Sequence, residues 1–281
     1  MTRHAIVITI VLASSASALA NAAPPSVREL MQTARRQVQS GDPAGAVESL
    51  RAARTLAPNS EEVLAALAQV ALSARMPIVA ITTLDGLTRI CPTVSQYHYL
   101  LGVALMEAGD MAAAVESLHE ADRLEPERAL TLLALGLALN SRKHYDEATA
   151  ALRHALDVEP ENLDGLAALA EAEAGAGDPA RAEEDARRVL ATSANHGAAN
   201  LVMGLLLMKR ERYAEARDAL TKAIVAAPDS AAAHYQLSLA YARLGDEVNA
   251  RTHVELYQQK LRETEERIKI LRGAAPSDRP R

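Results

Sequence analysis

Residues 95–128 read SQYHYLLGVALMEAGDMAAAVESLHEADRLEPER, and residues 129–162 read ALTLLALGLALNSRKHYDEATAALRHALDVEPEN. Laid one above the other, the two share their punctuation: Leu101-Gly102 over Leu135-Gly136, Ala114 over Ala148, Leu118 over Leu152, Pro126 over Pro160. Within the first stretch, Leu101 and Leu105 stand four apart on one helical face, and Gly102 beside them lets a second helix approach. Gly109 is suited to end that helix, because it tolerates the left-handed conformation at the terminus. Asp110 can cap the next helix by accepting a backbone N–H. Ala114, Leu118 and Ala121 form the buried stripe of the second helix, and Pro126 stops it. The spacing predicts two helices joined by a tight turn.

The register extends in both directions at a period of 34 residues. Pro58, Pro92, Pro126, Pro160 and Pro228 share one column, with Ala194 filling the missing step. A second column is Ala at all of 46, 80, 114, 148, 182, 216 and 250. A third holds Thr33, Leu67, Leu101, Leu135, Leu169, Met203 and Leu237, each followed by a small residue; a fourth holds Leu50, Leu84, Leu118, Leu152, Ala186, Leu220 and Val254. A Gly-Asp turn falls in alternate units, at Gly41-Asp42, Gly109-Asp110, Gly177-Asp178 and Gly245-Asp246, which suggests duplication of a 68-residue pair. One such unit cannot bury its apolar faces alone, so folding must come from stacking.

The period and these columns resemble the tetratricopeptide repeat family, over seven units: 27–60, 61–94, 95–128, 129–162, 163–196, 197–230 and 231–264. The resemblance implies an all-α, right-handed superhelical solenoid of helix–turn–helix repeats spanning 24–264. Two features depart from the family pattern. Its usual first-helix Trp is replaced by Leu30, Leu64, Leu132 and Leu166, or by His98, Asn200 and His234, and its second-helix aromatic is mostly Leu. His98 and His234 are therefore expected to pack between helices. The chain holds no Trp and no Phe, so the packing should be aliphatic.

In the family, the first helices line a concave groove that takes a peptide or a helix of the partner. By that analogy the groove-facing residues are Tyr99, Val103, Met106, Leu133, Leu137, Asn140, Leu201, Leu205, Met208, Tyr235, Leu239 and Arg243. This lining is mostly apolar, softened by Met, and lacks the Lys/Arg/Asn cluster that clamps a terminal carboxylate in some relatives. Burial of the same side chains by neighbouring helices, or under the C-terminal helix of a second copy, is the competing expectation.

The termini differ from the array. Arg3, the apolar run 5–13 and the small residues 14–23 form the three parts of a secretory signal peptide, with cleavage after Ala20, Ala22 or Ala23. Segment 1–23 therefore predicts export, to a periplasm or out of the cell, with no membrane span left afterwards. At the other end the last helix is expected to continue through 265–272 as a cap, before a disordered tail at 273–281. Its residues Val254, Tyr257, Leu261, Thr264, Ile268 and Leu271 follow heptad spacing. Val254, Tyr257, Leu261, Ile268 and Leu271 thus form an alternative homodimer seam.

Chemistry is not evident. No phosphate-binding Gly-rich loop, nucleophile elbow, His-Glu-x-x-His or paired-Cys motif occurs. The 8 His are dispersed, so neither metal nor cofactor is expected. Cys91, the sole cysteine, reads as a small buried filler at a helix junction. The net charge of −6, with interleaved signs and few aromatics, argues against nucleic acid. The expectation is a non-catalytic protein- or peptide-binding scaffold of the cell envelope.

Overall fold

A computed structural model describes residues 25–274. The expected signal peptide and residues 275–281 of the expected tail lie outside the described residues. Among the described residues the regular structure is all α-helix, in chain order α1 (Val27–Gln39), α2 (Pro43–Leu56), α3 (Glu61–Ser73), α4 (Pro77–Ile90), α5 (Ser95–Ala108), α6 (Met111–Leu124), α7 (Ala129–Ser141), α8 (Tyr145–Val158), α9 (Leu163–Ala176), α10 (Pro179–Thr192), α11 (Gly197–Lys209), α12 (Tyr213–Ala226), α13 (Ala231–Arg243) and α14 (Glu247–Ala274); α1 packs with α2, and from α5 onward the helices pack as consecutive pairs. The architecture is an all-α repeat solenoid. By internal contacts the chain divides into two compact units, residues 1–70 and 71–281.

In the first unit α1 and α2 pack together through Met31, Ala34, Ala46, Val47, Leu50 and Ala53, all buried. A capping box opens α1: the Glu29 N–H donates to the Ser26 hydroxyl, and the Ser26 N–H donates to the Glu29 carboxylate at 2.7 Å.

In the second unit the column residues form the core. Leu84, Leu118, Leu152 and Leu220 are fully buried, whereas Val254, at the same position of the seventh repeat, is 37% exposed. The small residue after the first-helix Leu is where the two helices of a pair meet. A Cβ on Gly136 would stand 2.4 Å from Leu152 Cγ, and one on Gly102 would stand 2.5 Å from Leu118 Cγ. The fifth repeat replaces the Gly–Leu pair by Ala170 and Ala186, which lie in one buried cluster.

The turns between paired helices alternate in construction. In odd repeats the turn residue is Gly in the left-handed region, from φ +77° at Gly41 to +93° at Gly177. The Asp that follows caps the second helix; the Gly45 N–H, for instance, donates to the Asp42 carboxylate at 2.9 Å. In even repeats the same positive φ is held by Arg75, Lys143 and Glu211. There the capping position carries Met76, His144 or Arg212, with no side-chain cap. A side chain in that region costs roughly 1 kcal/mol, so stacking on both sides must impose the geometry.

The last helix is one continuous rod from Glu247 to Ala274. Residues 273 and 274 are therefore helical, not tail. The helix ladder runs past the Gly because nothing in residues 262–274 breaks it.

Candidate partner-binding groove

Within the second unit the first helices of successive repeats adjoin in series: α5 with α7, α7 with α9, α9 with α11, α11 with α13. Their 3.6-residue period turns one stripe to the paired helix and leaves a second stripe facing away from it. The second stripe holds the groove candidates. Tyr99, Val103, Met106, Leu133, Leu137, Leu201, Leu205 and Met208 are half-buried. Tyr235, Leu239 and Arg243 are exposed. None of these apolar side chains is fully enclosed by the fold.

Asn140 is the exception. It is 5% exposed, and its amide donates to the Ala168 carbonyl at 2.7 Å, tying α7 to α9. It holds neighbouring repeats together through that amide, while its Oδ1 is buried without a hydrogen-bond partner among the described residues. A buried amide needs a partner, and the adjoining helix supplies one.

The stripe is polar at its two ends and in its middle. At one end Arg128 lies over the Tyr99 ring, 5.4 Å from the centroid, and donates to Gln96 Oε1 at 2.6 Å. At the other end Arg243 is exposed. In the middle, Glu171 of α9 occupies the column of Val103, Leu137, Leu205 and Leu239. Glu171 is half-buried and has no hydrogen bond or ion pair among the described residues. Burial alone holds its carboxyl above the usual carboxylate range. Its neighbour Glu173 differs: it faces α8, where Arg153 Nη2 donates to it at 2.9 Å. Glu171 escaped the sequence reading, although reading down its column would have found it.

The C-terminal helix does not stand clear of the array. Tyr257 packs on Tyr235, with ring centroids 5.1 Å apart. Lys260 Nζ pairs with Asp229 at 2.6 Å. Farther along, α14 touches α5 and α4. A Cβ on Gly109 would stand 2.8 Å from Thr264 Cγ2 and 3.8 Å from Ile268 Cδ1. Tyr257 and Ile268 of the heptad row are thus engaged within the chain, while Val254 and Leu261 are exposed.

The two histidines expected between helices are placed differently. His98 is half-buried, with Nε2 3.0 Å from the Pro92 carbonyl. His234 is 4% exposed. Its Nε2 lies 3.0 Å from the Pro228 carbonyl, and its Nδ1 lies 2.9 Å from Nδ1 of His253. A carbonyl only accepts, so His234 donates from Nε2 and its Nδ1 accepts from His253 Nδ1–H. Burial, and secondarily His234, push the His253 pKa down. Among the described residues no three His, Cys, Asp or Glu side chains converge as metal ligands, and no helix is long and apolar enough to cross a membrane. Cys91 is half-buried at the end of α4.

Adjoining amphipathic helices with a half-exposed apolar stripe define a helical-repeat protein of the kind that binds other proteins. The family model for the tetratricopeptide repeat matches residues 99–148 and 201–264 of this chain. No curated protein matches the sequence. Among solved structures, a tetratricopeptide repeat protein from Parabacteroides merdae superposes with a TM-score of 0.71 at 16% identity, over 87% of this chain and 98% of its own. MamA gives 0.56 at 22% identity, over 60% of this chain and 92% of its own. A chain of the APC/C hetero-tetramer Cut9–Hcn1 gives 0.57 at 16% identity, over 82% of this chain and 45% of its own. At these identities the likeness is one of fold.

Proposed function

We propose that this protein is a non-catalytic scaffold of the cell envelope that holds a helix or an extended apolar segment of another protein along the first-helix stripe. The observation that carries this is a stripe of half-exposed aliphatic side chains on successive first helices, Leu133 and Leu137 on α7 and Leu201 and Leu205 on α11, interrupted by Glu171 on the α9 that lies between them. Contiguous exposed apolar surface with a polar rim marks a binding site in a soluble protein. The Cut9–Hcn1 structure is of an assembly, which fits a scaffold role for an array of this kind. The envelope location rests on the three-part segment 1–23.

Two experiments test the reading. Partners captured from the native envelope fraction by the wild type should be lost with Leu137→Glu/Leu205→Glu, a pair on the stripe and outside the core. Retention of the same partners would move the site elsewhere. A fusion of residues 1–23 to alkaline phosphatase, which is active only after export, should be active; an inactive fusion would place the protein inside the cytoplasm.

A further inference from the structure

We infer that Glu171 is the polar anchor of the groove, and that the partner segment is an amphipathic helix carrying one Lys or Arg in the middle of its apolar face. The inference rests on the groove reading above and adds the chemistry of the occupant. Within the second unit the column has five residues, of which four are Val or Leu, at 103, 137, 205 and 239, and the fifth is the carboxylate of Glu171; the two earlier repeats carry Arg35 and Gln69 there. It sits on α9, with α7 adjoining on one side and α11 on the other. Other crowded acids of the array are paired within the fold, Glu173 with Arg153 and Glu183 with Arg187 and Arg210. Glu171 alone of these three has no partner among the described residues.

A half-buried carboxylate without a partner gives up hydration and gets nothing back inside the fold. A Leu there would complete the apolar column. A cation delivered by a partner would restore the lost interaction, in a site where neighbouring apolar walls strengthen it. Residues that cost stability in the free protein are common where a ligand makes up the loss.

The spacing of the helices sets the motif. Packed helices lie about 8–10 Å apart. A bound helix crossing them rises 1.5 Å per residue, so about six or seven of its residues span one step. A cation opposite Glu171 therefore places residues about seven positions to either side opposite Leu137 and Leu205. One heptad is close to two turns, so all three point the same way. The recognised pattern is an apolar residue, a cation and an apolar residue at heptad spacing.

The probe is a dye-labelled synthetic helix of three heptads with Leu along one face and Lys at its centre, compared with the same peptide carrying Gln or Glu there. Fluorescence anisotropy with the full-length chain should show the Lys peptide binding about tenfold tighter than the Gln peptide, the factor that about 1.4 kcal/mol represents. Glu171→Gln, which keeps the shape of the side chain, should erase that preference while still binding the Gln peptide. Glu171→Lys should prefer the Glu peptide, with circular dichroism confirming that both variants fold. Equal affinity of the wild type for Lys and Gln peptides would overturn the anchor and leave the groove standing. Failure of the wild type to bind any of the three would overturn both.

Discussion

Replacing Gly136 by Ala tests the packing rule that joins the two helices of each repeat. The new Cβ would stand 2.4 Å from Leu152 Cγ and 2.7 Å from Leu152 Cδ2, well inside contact distance. Leu152 is fully buried, so it cannot swing away without displacing its neighbours. Overpacking of this kind costs about 1–3 kcal/mol. Exchanging Gly for Ala inside a helix returns about 1 kcal/mol. The net expectation is a destabilisation of about 1 kcal/mol. Leu152→Ala by itself should cost about 2–5 kcal/mol, through lost burial and a cavity. Combined, the two changes recreate the Ala170–Ala186 pair of the fifth repeat, and the added methyl enters space that Leu152 has vacated. The double variant should therefore be more stable than the sum of the singles by about 1–2 kcal/mol. Urea unfolding followed by far-UV circular dichroism measures this. The curves should be fitted with a nearest-neighbour repeat model, because an array of this length does not unfold in two states. If Gly136→Ala alone is neutral or stabilising and the double variant is additive, the close approach of α7 and α8 is not what selects glycine.

Four further outcomes follow from the same geometry. Lys143→Gly should stabilise the fourth repeat by up to about 1 kcal/mol in the same unfolding assay, because Lys143 holds a positive φ that glycine adopts freely. Glu171 has a carboxyl held above its ordinary 4.5, so its contribution is intact below that pH and is lost as pH rises through the raised value. Glu171→Gln should therefore melt higher than the wild type at neutral pH, and the gap should close in acid. His253 is held below its ordinary 6.5, so its contribution is present above that pH and is lost as pH falls. His253→Asn, which can still donate to His234, should flatten the fall in melting temperature on acidification. Ile268→Asp should raise amide exchange near the end of α14 and in the Gly109 turn, while leaving α7 to α12 protected.

Much of the fold was legible because its causes are local and repeated. Gly102, Ala114, Leu118 and Pro126 each act within one helix pair, and the same residue types at the same spacing repeat the same act. The alternate Gly-Asp turns were equally plain. The sequence did not show that Arg75, Lys143 and Glu211 take the same backbone shape as those glycines, since their own preference opposes it. Packing of the flanking repeats overrides that preference. Nor did it show Asn140 turned inward, because a polar residue on a first helix reads alike whether it meets a carbonyl or water. Tyr99, Leu133, Leu137, Leu201 and Leu205 stand half-exposed, as a stripe read from helical period can indicate; how deep each one sits depends on the next helix over.

The sequence alone determined that the chain is a series of helix pairs and which face of each pair is apolar. That information lies in spacings of three, four and thirty-four residues, within the reach of one helix or one repeat. Only the tertiary structure decided that α14 reaches back to Gly109, that Tyr257 rests on Tyr235, and that Glu171 is half-buried with no partner among the described residues. These are contacts, or a missing contact, between residues far apart in the chain. Small rotations accumulated over many stacked helices set them, and no short-range pattern encodes that sum.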